Sequence, residues 1–263
     1  GQISESYAED ARKHGAELRL GWRMTSLEAP RDASSPWRVV AECEGKSETF
    51  EADYVWSTIP ITVLARTLTR DVPAEVIEAS KKISYRSMIL IYAQLPIDRF
   101  TEYDAHYFPA KATRITRLSE PKNYSALGRP QGTTVLCAEL PCNVGDEVWR
   151  MSDAQLGELL AADLAGCEIP LPVAPAQVFT RRLPQAYPIY LNGYEEPFKA
   201  LDDWASSLPR LLSFGRQGLF AHDNTHHALF MAYSAAECLK SGKFDDARWA
   251  EFRRVFATHV VED

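Results

Sequence analysis

The chain is organised around residues 211–228, which read LLSFGRQGLFAHDNTHHA. The first four residues are a short apolar run that stops at Gly215, which indicates a buried strand followed by a tight turn. Asn224 and its two neighbours are all good helix N-cap residues, and the composition from Ala228 to Leu239 favours a helix. Such a junction brings backbone N–H groups and the positive end of a helix dipole to one place, which suits an electron-rich or anionic ring edge. An ordinary strand-to-helix connection fits the same residues, because this glycine spacing is not unique.

A second apolar strand, Tyr54–Trp56, ends in polar residues. Its wholly apolar character suits burial in a parallel sheet. Ser57 and Thr58 follow at its carboxyl end, where ligands bind in open α/β sheets. A helical pattern begins at Ile61, so a polar helix cap is the alternative explanation for Ser57 and Thr58.

Upstream of this strand, the pattern predicts half of a βαβ unit and then a hairpin. A helix begins near Ile3 and ends near Gly15, and strands are predicted at Glu17–Leu20 and Met24–Leu27. The hairpin joins Trp37–Glu42 to Ser47–Glu51.

The middle of the chain, residues 69–185, is richer in strands separated by proline and glycine turns, which predicts a mixed or antiparallel sheet. A Ser-x-x-Gln capping box at Ser152 opens a helix that runs to about Gly166. The predicted strands are 87–95, 106–108, 113–118, 133–139 and 176–182. After this block we expect helices at 193–206 and 244–260.

Several of these features together resemble a known flavoprotein superfamily. The motif at 215–220 (GRQGLF), the motif at 223–228 (DNTHHA) and the small-residue helix after them are similar to the closing FAD-binding segment of amine-oxidase-like flavoproteins. The order of helix, strand, hairpin and a strand ending in Ser57-Thr-Ile-Pro60 recurs in that family. Tyr187-Pro-Ile-Tyr190 precedes the segment at the distance seen in the branch of protoporphyrinogen oxidases and UDP-galactopyranose mutases.

The resemblance implies an α/β fold of mixed α+β character. Residues 1–68 and 186–263 correspond to part of a Rossmann-like FAD-binding domain, and residues 69–185 to a mixed-sheet substrate-binding domain. The implied contacts to FAD are Ser57, Thr58, Pro60, Gly215, Arg216, Asn224, Thr225 and His226. The implied contacts to substrate are Tyr187, Tyr190 and Arg182.

The activity that the resemblance implies is oxidation of a small organic substrate by hydride transfer to the flavin. A mutase-like reaction on a nucleotide sugar is the alternative within the family, and a non-catalytic remnant is the alternative outside it. No side chain stands out as a general base, so the catalytic residues are left unassigned.

One family motif is absent from this sequence. The superfamily begins with a strand, a Gly-x-Gly-x-x-Gly turn and a helix that binds the FAD pyrophosphate, and none of the 13 glycines forms that pattern. We therefore expect a C-terminal portion with an incomplete FAD site, completed by a missing N-terminal half or a partner subunit. We also expect an open sheet edge that leaves Trp22, Trp56 or Phe214 unusually accessible.

Composition limits the remaining functions. A net charge of −7 without a basic run argues against nucleic acid as a partner, and no apolar stretch is long enough to predict a transmembrane segment. Five scattered cysteines indicate a reducing, cytoplasmic setting. The histidines at 222, 226 and 227 lack the spacing of the common metal motifs, so we predict no metal site.

Overall fold

The computed structural model describes residues 2–70, 72–125, 127, 130–240 and 242–261. In chain order the helices are α1 (Gln2–Lys13), α2 (Ile61–Thr67), α3 (Ala74–Lys82), α4 (Glu147–Arg150), α5 (Asp153–Gly166), α6 (Glu195–Ser207), α7 (Gly215–Gly218), α8 (Thr225–Cys238) and α9 (Asp246–Phe256). The strands are β1 (Arg23–Glu28), β2 (Trp37–Cys43), β3 (Lys46–Ala52), β4 (Val55–Ser57), β5 (Ser84–Leu95), β6 (Ala105–Tyr107), β7 (Arg117–Ser119), β8 (Thr134–Cys142), β9 (Gln177–Ile189), β10 (Leu211–Ser213), β11 (Leu239–Lys240) and β12 (Lys243–Phe244). The fold is of the α/β class that the sequence predicts.

The chain divides into two units. Unit 1 contains Gly1–Ile83 and Asn192–Asp263, and unit 2 contains Ser84–Leu191. These divisions lie 15 and 6 residues after the domain boundaries expected at 68 and 185, so that α3 belongs to unit 1. The binding role expected of each segment stays a prediction.

Strands β4 and β10 of unit 1 pair in parallel, and a ligand is predicted to bind where these two strands end. Leu211 lies opposite Val55 and Ser213 opposite Ser57. The pairing continues past the strands, because the Phe214 amide donates to the Ser57 carbonyl at 3.1 Å. Both predicted strands are thus confirmed as parallel neighbours, and their carboxyl ends lie at the same edge.

The β2–β3 hairpin is confirmed, and β1 extends it into an antiparallel three-stranded sheet. The strand predicted at Glu17–Leu20 is wrong, because this segment is irregular. Arg19 instead forms ion pairs with Glu17 and Glu48, and Leu20 is 78% exposed. The alternation of charged and apolar residues is typical of a strand, but a strand also needs a partner for its backbone, and the described residues supply none.

Unit 2 is built on an antiparallel sheet with the strand order β6-β7-β8-β5-β9. One face of this sheet packs against α5, which begins with the predicted capping box between Ser152 and Gln155. The core between them is aliphatic, and it includes Ile89, Ile91, Leu136, Leu156 and Leu160. Of the two predicted sheet arrangements, the antiparallel one is present.

Four strands of unit 2 differ in length from the prediction: β5, β8 and β9 are longer, and β7 is shorter. Strand β7 is shorter, because the Asp163 carboxylate on α5 accepts hydrogen bonds from the amides of Arg114 and Ile115 and takes them out of the sheet. Strand β9 is longer, because extra residues between Leu183 and Tyr187 shift its register against β5 and let it continue past Pro184, which has no N–H to donate.

The last helix, α9, is shorter than expected and covers part of the sheet edge in unit 1. It begins after Asp245, whose carboxylate accepts from the Arg248 amide at 3.0 Å. Phe214 is only 5% exposed because Trp56 and the α9 residue Trp249 both pack edge-on against it. The expectation that Phe214 would be unusually accessible is therefore wrong. The other two residues of that expectation, Trp22 and Trp56, are half-buried. Within the described residues, no helix combines the length and apolar character needed to cross a membrane.

Candidate functional site

The site lies where β4 and β10 end. Gly215 follows β10 with φ of +77°, a conformation that glycine adopts without strain. A Cβ built on Gly215 would lie 3.9 Å from the Cβ of Thr58, the exposed residue that follows β4. The two strand ends predicted to share a site are therefore neighbours, as expected.

The turn after β10 is tightly packed on its inner side. The Ser213 hydroxyl donates to the Gly218 carbonyl at 3.1 Å and closes the short helix α7. A Cβ on Gly218 would lie 2.9 Å from that hydroxyl oxygen and 3.3 Å from the Ser57 carbonyl oxygen. The Gly215 amide is 3.2 Å from the sulfur of Met231, a fully buried residue of α8. The turn is thus fixed against both β4 and α8.

Helix α8 begins at Thr225 with Asn224 as its N-cap, as the sequence predicts. The Asn224 amide donates to Nδ1 of His227 at 3.2 Å, and this contact is one half of a capping box. Thr225 and His226, in the first turn, are exposed. A helix N-terminus directs backbone N–H groups and the positive end of its dipole outward.

Two polar atoms on β4 are buried without a hydrogen-bond partner among the described residues. They are Oγ of Ser57 and Nε1 of Trp56. Beside them, Pro60 precedes the first residue of α2, and Arg216 is half-buried on α7. Trp56 and Ser57 are consecutive in the strand and point to opposite faces, so only the Ser57 hydroxyl can belong to this edge. A glycine without a side chain and the hydroxyls of Ser57 and Thr58 fit the edge of a planar heterocycle, so the residues present are compatible with the flavin ring of FAD.

The predicted substrate residues belong to unit 2. Tyr187 lies in β9 opposite Arg86, and Tyr190 is exposed just after the strand. The Arg182 guanidinium donates to the carbonyls of Trp149 and Met151 and to the Thr180 hydroxyl. These contacts show Arg182 holding the segment between α4 and α5, and its contact with a substrate stays a prediction.

The structure also brings together three residues that the sequence did not group. Nδ1 of His227 lies 3.3 Å and Nδ1 of His259 lies 3.6 Å from Oδ1 of Asp223. The rings of His227 and His259 stack with 4.3 Å between their centroids. Burial lowers the pKa of His227, and the neighbouring rings of His226 and His259 lower it further.

Sequence reasoning treated Asp223 only as a possible N-cap and grouped His227 with two exposed histidines, at 222 and 226. The short spacing Asp223-x-x-x-His227 across the beginning of α8 was the available signal for the first two members. His259 comes from the segment after α9, so nothing local in the sequence linked it to them.

Solved flavoenzymes share this fold. A reduced UDP-galactopyranose mutase is 18% identical, with a TM-score of 0.75 over 97% of this chain and 54% of its own. A putative protoporphyrinogen oxidase from Exiguobacterium sp. 255-15 is 20% identical, with a TM-score of 0.56 over 79% of this chain and 44% of its own. A redesigned putrescine oxidase is 15% identical, with a TM-score of 0.57 over 80% of this chain and 45% of its own.

The chain thus spans about half the length of the structures it matches. No curated protein matches its sequence. The model of the family described as flavin containing amine oxidoreductase matches residues 1–243, which include β4, β10, Gly215 and all of α8. The chain therefore belongs to the flavin-containing amine oxidoreductase family.

Proposed function

We propose that this chain supplies the flavin-facing part of an FAD-dependent oxidoreductase. The observation that carries the proposal is that Thr58 and Gly215 lie side by side where the parallel pair β4–β10 ends, with the turn at Gly215 packed against α8, which begins further along the chain at Thr225. Family membership supports FAD as the cofactor, because the family is defined as flavin-containing.

Each group at this edge has a distinct proposed role. Gly215 leaves room for the isoalloxazine ring to approach the backbone, and the Thr58 hydroxyl hydrogen-bonds to it. The first-turn amides of α8, at Thr225 and His226, stabilise negative charge on the pyrimidine edge of the ring. Ser57, Pro60, Arg216 and Asn224 complete the proposed contacts. FAD, when bound, would accept a hydride from a C–H bond next to nitrogen or from a saturated C–C unit.

The pyrophosphate of FAD is proposed to bind outside these residues, in a further segment or a partner subunit. The support is that no Gly-x-Gly-x-x-Gly turn occurs in this sequence, while the matched structures are about twice as long as the region they share with it. A reducing, cytoplasmic location is part of the proposal, because Cys43, Cys137, Cys142, Cys167 and Cys238 are all unpaired.

The substrate is proposed to contact unit 2, through Tyr187 and Tyr190. Tyrosines offer apolar ring surface together with a hydroxyl, which suits a small organic molecule with one polar group. Arg182 is the third proposed substrate contact, and its hydrogen bonds to two carbonyls and a hydroxyl would fix the position of its guanidinium.

A mutase-like reaction on a nucleotide sugar, without net redox change, is the second candidate. The observation that favours it is the alignment with UDP-galactopyranose mutase, which extends over 97% of this chain against about 80% for the two oxidases. A non-catalytic remnant is the third, and it predicts no response to either class of substrate.

An anaerobic flavin assay separates these candidates. The complete natural gene product that contains these residues is loaded with FAD, and its visible spectrum is recorded during titration with amines and with a porphyrinogen. Bleaching of the flavin supports the oxidoreductase. Conversion of a UDP-sugar by the pre-reduced protein, with no change in flavin redox state, supports the mutase. The absence of both responses contradicts the proposed function.

A further inference from the structure

We propose that Asp223, His227 and His259 form a site for a divalent transition metal of the zinc class, which ties the segment after α9 to the beginning of α8. The ligand atoms of the three residues lie within 4.8 Å of one another. Two imidazoles and a carboxylate are ligands that zinc prefers, and a water molecule commonly occupies the fourth position. This inference reverses the expectation, drawn from the spacing of the histidines, that the chain has no metal site.

The two distances from the carboxylate to the imidazole nitrogens are close to those of a formed site. With ligand bonds of 2.0–2.1 Å, two ligand atoms on a tetrahedral zinc ion are about 3.3 Å apart. Oδ1 of Asp223 is 3.3 Å from Nδ1 of His227 and 3.6 Å from Nδ1 of His259. The two imidazole rings stack with their centroids 4.3 Å apart, so metal binding would require them to tilt until both Nδ1 atoms face one point.

Two atoms in the cluster are buried without a hydrogen-bond partner among the described residues. They are Oδ2 of Asp223 and Nδ1 of His259. The side chains of Asp223 and His259 are 3% and 11% exposed. A buried carboxylate oxygen and a buried imidazole nitrogen without partners cost free energy, and a cation between them removes that cost.

The protonation of His227 also suits a metal. The Asn224 amide donates to Nδ1 of His227, so this nitrogen carries a lone pair and not a proton. A cation bound at Nδ1 would replace this single amide contact.

The residues around the cluster leave a cavity beside it, and the arginine that lines this cavity is already paired with a carboxylate. Asp223 borders a cavity of about 120 Å³, which is large enough for water to complete the coordination. The cation that lines the same cavity, Arg253, is held by the Asp202 carboxylate at 2.5 Å, so its charge is already balanced.

Family membership does not imply this cluster. The family match ends at residue 243, before His259. The site therefore joins two residues of the matched region to one beyond it, and its ligands do not include the proposed flavin contacts at Asn224, Thr225 and His226, which lie between Asp223 and His227.

Calorimetric titration of the metal-free chain with ZnCl₂ tests the proposal, and it needs no flavin. The expected result is one Zn²⁺ per chain, with the affinity reduced more than about tenfold in Asp223→Asn and in His259→Gln. His14→Ala, which removes an exposed histidine of α1, is the matched control and leaves the affinity unchanged. Circular dichroism establishes that each variant is folded.

Two further readouts do not depend on one variant. Co²⁺ in place of Zn²⁺ should give weak visible bands without the intense thiolate absorption that binding to cysteine would produce. The melting temperature of the unsubstituted chain should rise with Zn²⁺, and Asp223→Asn should abolish the rise. Absence of one-to-one binding, a thiolate band, or equal affinity in the parent and both variants would overturn the proposal and leave the proposed function standing.

Discussion

Replacing Gly218 by alanine tests the close packing that positions the turn after β10. The added Cβ would lie 2.9 Å from Oγ of Ser213, shorter than a normal carbon–oxygen contact, and 3.3 Å from the Ser57 carbonyl oxygen. Ser213 is buried, and its hydroxyl donates to the Gly218 carbonyl. Relief of the contact therefore requires Ser213 to rotate and lose that hydrogen bond.

The magnitude follows from three terms. Overpacking of a well-packed interior costs about 1–3 kcal/mol, and loss of the Ser213 hydrogen bond costs about 1 kcal/mol. Reduced entropy of the unfolded chain offsets about 0.4–1 kcal/mol. We expect Gly218→Ala to lower the free energy of unfolding by about 1–3.5 kcal/mol.

Denaturant unfolding followed by circular dichroism measures this change, with Gly166→Ala as the control. Gly166 ends α5, has no atom within 4 Å of a built Cβ and does not have a positive φ, so its substitution should be neutral or stabilising. In the double variant Ser213→Ala/Gly218→Ala the 2.9 Å contact is gone, and we expect a favourable coupling of about 1 kcal/mol. A Gly218→Ala protein within about 0.5 kcal/mol of the parent, or zero coupling, would refute the reasoning.

Three other predictions follow from the structure. Glu120→Gln should lower the free energy of unfolding by about 2–3 kcal/mol, because this buried carboxylate accepts hydrogen bonds from two backbone amides and two side chains. The control Glu102→Gln changes an exposed carboxylate and should leave the free energy of unfolding unchanged. In a carboxyl NMR titration, Asp32 should show a pKa lowered from 3.8 to about 2 by hydrogen bonds from Ser34 and Ser35. The contribution of this carboxylate to stability is present above pH 3.8 and is lost as the pH falls through about 2. An ordinary pKa for Asp32 would exclude those hydrogen bonds. The 263-residue chain purified alone should retain little FAD, because its sequence has no glycine-rich turn to bind the pyrophosphate. One tightly held FAD per chain would contradict the proposal that the pyrophosphate binds outside these residues.

Features encoded by neighbouring residues could be predicted from the sequence. The capping box at Ser152, the N-cap at Asn224 and the turn at Gly215 depend on contacts within a few positions, and the structure has all three. The parallel character of β4 was also predictable, because a short, wholly apolar strand is typical of a parallel sheet, whereas its position beside β10 was expected only from the family resemblance.

Features that depend on distant partners were not predictable in this way. The segment Glu17–Leu20 alternates like a strand but has no backbone partner among the described residues. Phe214 is covered by Trp249, which the sequence places 35 positions away, and His259 meets Asp223 only because α9 returns along α8. Side-chain periodicity carries no information on which distant element covers a given face.

The flavin content of the complete natural gene product tests the central claim most directly. Purified and read by visible absorption, the parent protein should contain one FAD per chain. Thr58→Val should weaken FAD binding about 3–10-fold, because one hydrogen bond to the flavin is lost. Thr49→Val, at an exposed position of β3, should bind FAD as the parent does. A complete protein that neither contains nor takes up FAD, or equal affinity in both threonine variants and the parent, would contradict a flavin site at this edge of the sheet.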